Sequence, residues 1–500
     1  MEEGQRWWKD VRPYSVYVLV LVLLAYLLNQ LDRYMLAITA KPMAQEIHYG
    51  DQACMVNTSY STMEAAGVKC NGTTSEDCTS IHSENGSAVC KWDYNGQGYE
   101  YQLVAGPIFI LIYTFMGIFI GFAADLYNRK ILLAICLIFW SLMTLLTGAI
   151  NEYWQLAILR FGLGMGEAGC TPFAASLLTD YFSASVRGLA LGIYNWGIYM
   201  GYSLSYAIGN FITLANINGQ GWRWAFYISG IPGLILGVLI IFTLKEPARH
   251  AVQQPNEQEG FIQTEKISIC QRLGRILRPF LSPSLIMLCV AGSIRNAAGY
   301  VWAYNTQPYF IMIGQTKEQI GTYMSWIPLV SGSIGVVVGG FISDRVVKKR
   351  GLYARVLILV ASQILAAPFA AGALFLNPPG AFISQIPTYI IGEMWVGVAL
   401  AVLVELVPST VRSGAVAVYL FIISNVGGNV PLLVPYIQSS FEARGFTKVQ
   451  SLRGSLYILY PGLYVLGSLL FLLTMFVVKR DQRRVQGYEV LDGTNSAKES

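Results

Sequence analysis

Uninterrupted apolar stretches of about 20 residues recur along nearly all of this 500-residue chain, and each is long enough to cross a hydrocarbon core roughly 30 Å thick as a helix. Such a segment has few options. In lipid every backbone N–H and C=O must be bonded within the protein, and a continuous apolar run, without the two-residue alternation of a barrel strand, selects the helix. We read twelve of them, near 15–40, 103–124, 131–149, 154–179, 189–213, 224–244, 284–304, 321–342, 355–375, 382–404, 414–437 and 455–478. A soluble domain of this size has no use for a composition of 54% hydrophobic and 13% charged residues. The expected fold class is therefore an all-α, multi-pass membrane protein with twelve transmembrane helices.

Most of the 34 lysines and arginines fall on one set of alternate loops and on the two tails, among them Arg129 and Lys130, Lys348 to Arg350, and Lys479, Arg480, Arg483 and Arg484. Basic loops stay cytoplasmic, which puts residues 1–14, the linker 245–281 and the tail 479–500 on that side. This topological job accounts for the net charge of +5, so no nucleic-acid partner is expected. The first helix lacks a small-residue cleavage site and is too long for a signal-peptide core, so it is expected to be retained.

The loop 41–100 is different. It carries Cys54, Cys70, Cys78 and Cys90 together with the sequons at Asn57, Asn71 and Asn85. Glycosylation and stable disulfides both belong to the lumen or the exterior, so this loop should face away from the cytoplasm, with two disulfides among its four cysteines and three pairings open. Cys136, Cys170 and Cys289 lie in apolar helices and read as small buried thiols.

The chain repeats itself. "GFAADLYNRK" from Gly121 and "GFISDRVVKK" from Gly340 are both Gly-x-x-x-Asp followed by a basic pair at the cytoplasmic end of an apolar helix, and "DYFSASVR" from Asp180 is echoed by "ELVPSTVR" from Glu405. A duplicated six-helix unit follows, 15–244 and 282–478. The twice-used Gly-x-x-x-Asp loop resembles the signature of the major facilitator superfamily, and "NQLDRYMLAI" from Asn29, "RFGLGMGEAG" from Arg160, "GWRWAFYISGIPG" from Gly221 and "KEP" from Lys245 are similar to its spinster group. That resemblance implies two pseudo-symmetric six-helix bundles that rock about a midplane site. It also implies a cytoplasmic gate built from Gly121, Asp125, Arg129, Asp180, Arg187, Gly340, Asp344, Arg345, Glu405 and Arg412, with Leu126 standing where the first copy usually has arginine. Glycine pairs at 117/121, 197/201 and 335/339 would smooth helices two, five and eight where the bundles meet.

Charges inside the apolar helices are costly and need a partner or a function. They occur on the first helix (Asp32, Arg33), the fourth (Arg160, Glu167), the seventh (Arg295) and the tenth (Glu393); the resemblance implies that these four helices line the central cavity. The repeat pairs them: Arg33 with Glu167 in half one, Arg295 with Glu393 in half two. Arg160, two turns before Glu167 on the same face, is a rival partner for Asp32 or Glu167. The three histidines, His48, His82 and His250, lie in loops, so a proton relay would rest on carboxylates, Glu167 first and Asp32 second. Asn29, Tyr194, Asn195, Tyr300, Trp302, Tyr304, Asn305, Tyr419, Asn425 and Asn429 are further candidates to line the cavity.

These features point to a secondary transporter, and the spinster resemblance implies a lysophospholipid or sphingoid lipid as cargo with protons as coupling ion; a small organic-anion symporter and a non-transporting receptor are the alternatives. No G-x-x-x-x-G-K-[ST] loop, zinc motif or nucleophile set is present, so no enzyme, cofactor or metal is expected. Around 269–278 apolar and arginine residues alternate as in a membrane-surface helix. "GYEVL" in the tail resembles a tyrosine-based sorting signal, Tyr488 and Leu491, for an adaptor protein, which would place the protein in endolysosomal or plasma membrane.

Overall fold

A computed structural model describes residues 12–56, 70, 72, 74–82, 90–247, 274, 276–408 and 412–496. The helices make consecutive passages, joined mostly by tight turns. In the first half α1 is Pro13–Ile47, α2 Pro107–Leu126, α3 Arg129–Thr147, α4 Tyr153–Glu167 continued by Cys170–Tyr181, α5 Ala184–Ala207 and α6 Arg223–Thr243. In the second half α7 is Pro283–Met312, α8 Lys317–Met324 continued by Ser333–Arg350, α9 Leu352–Phe375 and α10 Gln385–Gly392 continued by Trp395–Glu405. The last two are α11, Arg412–Asn429 continued by Leu433–Glu442, and α12, Lys448–Leu459 continued by Pro461–Ser496. Among the described residues ten passages are long and apolar enough to cross a membrane. The other two, α4 and α5, carry more polar residues, among them Arg160 and Glu167 of α4 and Asn195 of α5.

Local chemistry sets the ends. Pro13, Pro107 and Pro283 open their helices where the missing N–H costs nothing, and Asn128 caps α3 by accepting from the Ile131 N–H at 3.1 Å. Large apolar side chains such as Phe115, Ile135, Ile235, Val337, Leu365 and Phe476 point outward and form the surface that lipid covers.

Packing repeats the sequence duplication. α1 packs on α5 and α6, and α3 on α4 and α6; in the second half α7 packs on α11 and α12, and α9 on α10 and α12. Between halves α1 meets α7, α2 meets α11, and α5 meets α8. The glycine pairs do a different job from the one expected of them. Gly197 and Gly201 let α5 close onto Tyr26, Leu27 and Gln30 of α1, and Gly335 and Gly339 let α8 close onto Ile390 and Met394 of α10, in each case within one half; Gly117 has open space beside it.

Beyond α1 the chain forms a small cap. Strands β1, Gln52–Val56, and β2, Cys90–Tyr94, pair antiparallel with Cys54 opposite Trp92. Disulfides Cys54–Cys78 and Cys70–Cys90 close it. Asn57, Asn71 and Asn85 lie outside the described residues, as do the first eleven residues and most of the linker. The backbone of α12 continues through Tyr488 and Leu491, whose side chains are not among those described.

Candidate functional site

Each half carries one buried arginine–glutamate pair between its first and fourth helices. Arg33 of α1 donates from Nε (3.2 Å) and Nη2 (3.0 Å) to the same oxygen, Oε2, of Glu167 on α4. The guanidinium is flanked by the rings of Tyr113 and Phe109, 4.5 and 4.9 Å from their centroids. Glu167 is fully buried, and its Oε1 has no hydrogen-bond partner. In the second half Arg295 of α7 donates from Nη2 to Glu393 Oε1 at 3.1 Å and to the Gly392 carbonyl at 2.9 Å, and from Nε to Gln363 of α9. Its guanidinium lies 4.3 Å from the centroid of Tyr464.

Both carboxylates sit where helical bonding loosens: Glu167 ends the first segment of α4, and Glu393 is the residue at which α10 breaks. Interrupted helices at mid-membrane are where transporters place cargo and coupling ions. The two acids differ in reach. Glu393 is partly exposed and accepts from Tyr199 of α5 at 3.3 Å, so it joins the two halves.

The remaining candidates separate into groups. Arg160 is not a rival partner: it donates to the carbonyls of Val104 (3.2 Å) and Arg33 (3.4 Å) and stacks near Phe109, because its position on α4 points it at the backbone of α1 and of the short helix Tyr99–Ala105 that leads into α2. Asp32 is buried beside the hydroxyls of Thr144 on α3 and Ser229 on α6, and among the described residues it forms no ion pair. Asn29 lies at Glu167, donating to its carbonyl at 3.4 Å. Tyr300 and Tyr304 stand one turn apart next to Tyr34, with the Tyr304 hydroxyl unpartnered. Others are packed as structure. Tyr194 stacks on Tyr26 inside the first half, Trp302 stacks on Tyr460, Tyr419 is buried against Gly292, and Asn195 is turned to the exposed face. Asn425 accepts from Thr114 across the halves at 2.9 Å, and Asn429 bonds back to its own helix.

Polar contacts between the halves cluster on the side away from the cytoplasm. Gln102 donates to Asn305 (2.8 Å), Asn210 and Gln307 exchange amide bonds (2.6 and 3.3 Å), the Leu329 N–H donates to Ser203 (3.0 Å), and Lys448 donates to the Gln52 carbonyl of the cap (2.9 Å). At the cytoplasmic ends the ion pairs among the described residues stay inside one half. Arg129 binds Asp180 (2.5 Å) and Glu246 (2.8 Å); Arg355 binds Asp344 (3.0 Å) and Glu405 (2.8 Å). The two clusters are counterparts: an arginine at the start of the third helix holds the acid at the end of the fourth. Arg345, expected in the gate, instead lies over Phe341 at 4.2 Å, since α8 continues and turns it outward. The side chains of Gly121, Asp125, Arg187 and Arg412 lie outside those described.

Sequence reasoning missed Arg355, Gln363, Tyr113 and Tyr199. Gln363 could have been found as a lone amide in apolar α9. Arg355 was hidden among topological charges, and two tyrosines among 30 carry no signal of their own.

The sequence profile of the Major Facilitator Superfamily matches residues 22–431. The chain belongs to this superfamily. Within the superfamily it is similar to the sphingosine-1-phosphate transporter SPNS2 of Danio rerio, 26% identical over 77% of this chain and 76% of that protein. It is also similar to protein spinster homolog 1 of Xenopus tropicalis, 28% identical over 76% and 74%. Its fold matches a bacterial homolog of the human lysosomal transporter spinster in an inward-facing, unoccupied conformation, with TM-score 0.72, 22% identity, and 94% and 99% of the two chains covered. As a superfamily member it is a multi-pass membrane transporter.

Proposed function

We propose that the protein is a secondary transporter that carries an amphipathic lipid, of the lysophospholipid or sphingoid class, by alternating access, with Glu167 exchanging Arg33 for a proton. The observation that carries this reading is the matched pair of buried Arg–Glu contacts, one per half, each at a break in the fourth helix, in a molecule whose halves are bridged on one side. Paired buried charges stabilise a protein less than apolar packing of the same volume, so a pair repeated in both halves is better explained by use. Glu167 is suited to the exchange because one oxygen serves Arg33 and the other is free to take a proton. The bridges at Asn210–Gln307, Gln102–Asn305 and Tyr199–Glu393 must part for the outer side to open. Asp32 comes second as a proton carrier.

The likeness to the sphingosine-1-phosphate transporter SPNS2 supports a phosphorylated sphingoid cargo, and the aromatic surround of Arg33 suits a cationic anchor beside apolar chain. A small organic anion is the second reading, favoured by three buried arginines at the midplane. Glycosylation of the loop at its three sequons and reading of the Tyr488–Leu491 motif by an adaptor protein would fit an endolysosomal or plasma membrane. Uptake of a labelled sphingoid phosphate and of a small dicarboxylate into proteoliposomes, with and without an imposed pH gradient, tests the proposal. Wild type is expected to accumulate the lipid with the gradient and Glu167→Gln to lose the gradient dependence. Gradient-driven accumulation by the variant would overturn the proton role, and accumulation of the dicarboxylate alone would overturn the cargo class.

A further inference from the structure

We propose that the outer mouth between the halves binds a dianion of the phosphate class, either free phosphate or the headgroup of a phosphorylated lipid, between Lys41 of α1 and Lys317 of α8. The two lysines belong to opposite halves, and the end of α5 brings them to one place. There α5 widens into the turn Ile208–Ile212. Gly209 lies against Ile38 of α1, and the next residue, Asn210, lies against Gly321 of α8, each so close that a methyl group on the glycine would crowd its neighbour. α1 runs outward and α8 begins outside. Lys41, about one turn beyond Ile38, and Lys317, about one turn before Gly321, are therefore both carried outward from the point where the three helices converge. They come near enough for Lys41 to be the charged group that acts on Lys317. The cap closes over this point: β2 packs on α1, the backbone of Gly96 presses on that of Lys41, and Gln97 donates to the Pro308 carbonyl of α7 at 3.5 Å.

Two half-buried ammonium groups within each other's field repel unless an anion offsets them. The protein supplies none. Among the described residues neither Lys41 nor Lys317 has an ion pair or a hydrogen bond. The acids that could serve are engaged elsewhere, Asp93 by Lys91 at 2.5 Å and Glu46 by Arg223 at 2.8 Å, while Glu318 is exposed. A lysine that only sought water would extend its flexible stem to the surface; these two stay half-buried beneath the cap. Charge selects the ligand. A phosphate monoester carries close to two negative charges at neutral pH and matches both lysines, whereas a carboxylate would offset one, and lysine serves phosphate well as a point charge. Because each half contributes one lysine, an anion between them ties the halves together on this side, so its binding favours the closed outer mouth. The inference does not rest on the cargo or the proton assigned above.

The test uses the purified full-length chain in detergent at pH 7 and constant ionic strength, with potassium phosphate replacing potassium chloride in one arm and decyl phosphate added in the other. Because a ligand that binds only the folded state stabilises it, the unfolding midpoint should rise saturably. A rise in both arms assigns the site to the free anion as well as the headgroup, and a rise with decyl phosphate alone assigns it to a lipid headgroup. Lys41→Gln and Lys317→Gln should each raise half-saturation by about tenfold, as expected for loss of one charged contact, and the double variant should not respond. Glu167→Gln should keep the response while losing gradient-driven uptake, which distinguishes this site from the transport proposal. Equal midpoints in phosphate, decyl phosphate and chloride would overturn the inference, as would a rise that neither lysine variant weakens; should one variant not fold, an unchanged response in the other does the same. Binding that leaves the labelling rate of a cysteine at the outer mouth unaltered would overturn the bridging of the halves.

Discussion

The two buried Arg–Glu pairs occupy equivalent places in the two halves yet are built differently. Glu167 is fully enclosed and touches groups of its own half, with one oxygen on Arg33 and the other free. The side chain of Glu393 is 20% exposed, and it divides its oxygens between Arg295 and Tyr199 of the opposite half. The same ion pair occurs twice, and its surroundings differ: in half one the carboxylate keeps one oxygen unpartnered, in half two it ties the halves together. The difference teaches that symmetry in such a chain predicts where charges sit better than what they do.

Removing each arginine in turn should have the largest effect. Arg33→Ala strands a sealed carboxylate and should cost about 3–5 kcal/mol, read as a large fall in thermal stability together with lost uptake. Arg295→Ala leaves Glu393 with Tyr199 and partial access to water, and should cost about 1–3 kcal/mol. Equal losses would show that the two sites are alike. The Tyr199 contact comes next. Tyr199→Phe should weaken the closed outer side by about 1 kcal/mol, roughly a fivefold gain in the outward-open population measured by cysteine labelling from the outside, whereas Tyr113→Phe in the first half should leave that population unchanged. The smallest effect separates the cytoplasmic clusters. Arg129 is enclosed by two acids and Ser176, whereas Asp344 beside Arg355 is 72% exposed. Asp344→Asn should therefore cost less than about 0.5 kcal/mol, and Asp180→Asn clearly more, in the same melting assay.

Much of this was readable from residues alone. The helical passages follow from apolar length, and the facing of Arg33 to Glu167 and Arg295 to Glu393 follows from the repeat, because equivalent helices of a duplicated fold present equivalent faces. The cap's four cysteines announced two bridges, but their pairing required the hairpin register that sets Cys54 opposite Trp92. What escaped depended on rotation about a helix axis. Asp32 and Arg33 are adjacent in sequence, yet neighbouring residues on a helix point about 100° apart, so one serves α4 and the other the interior between α3 and α6. The same rotation turned Arg345 outward and left Asp344 and Glu405 to Arg355, a residue no motif singled out.

The cap's two disulfides join it only to itself, while Lys448 reaches it from the far half at the Gln52 carbonyl. It is thus a stiff cover fixed to one half and touching the other, so any motion that parts the halves on this side has to lift it off. A pair of dyes, one on the hairpin and one beside Lys448, would turn that small touch into a signal that follows the separation of the halves.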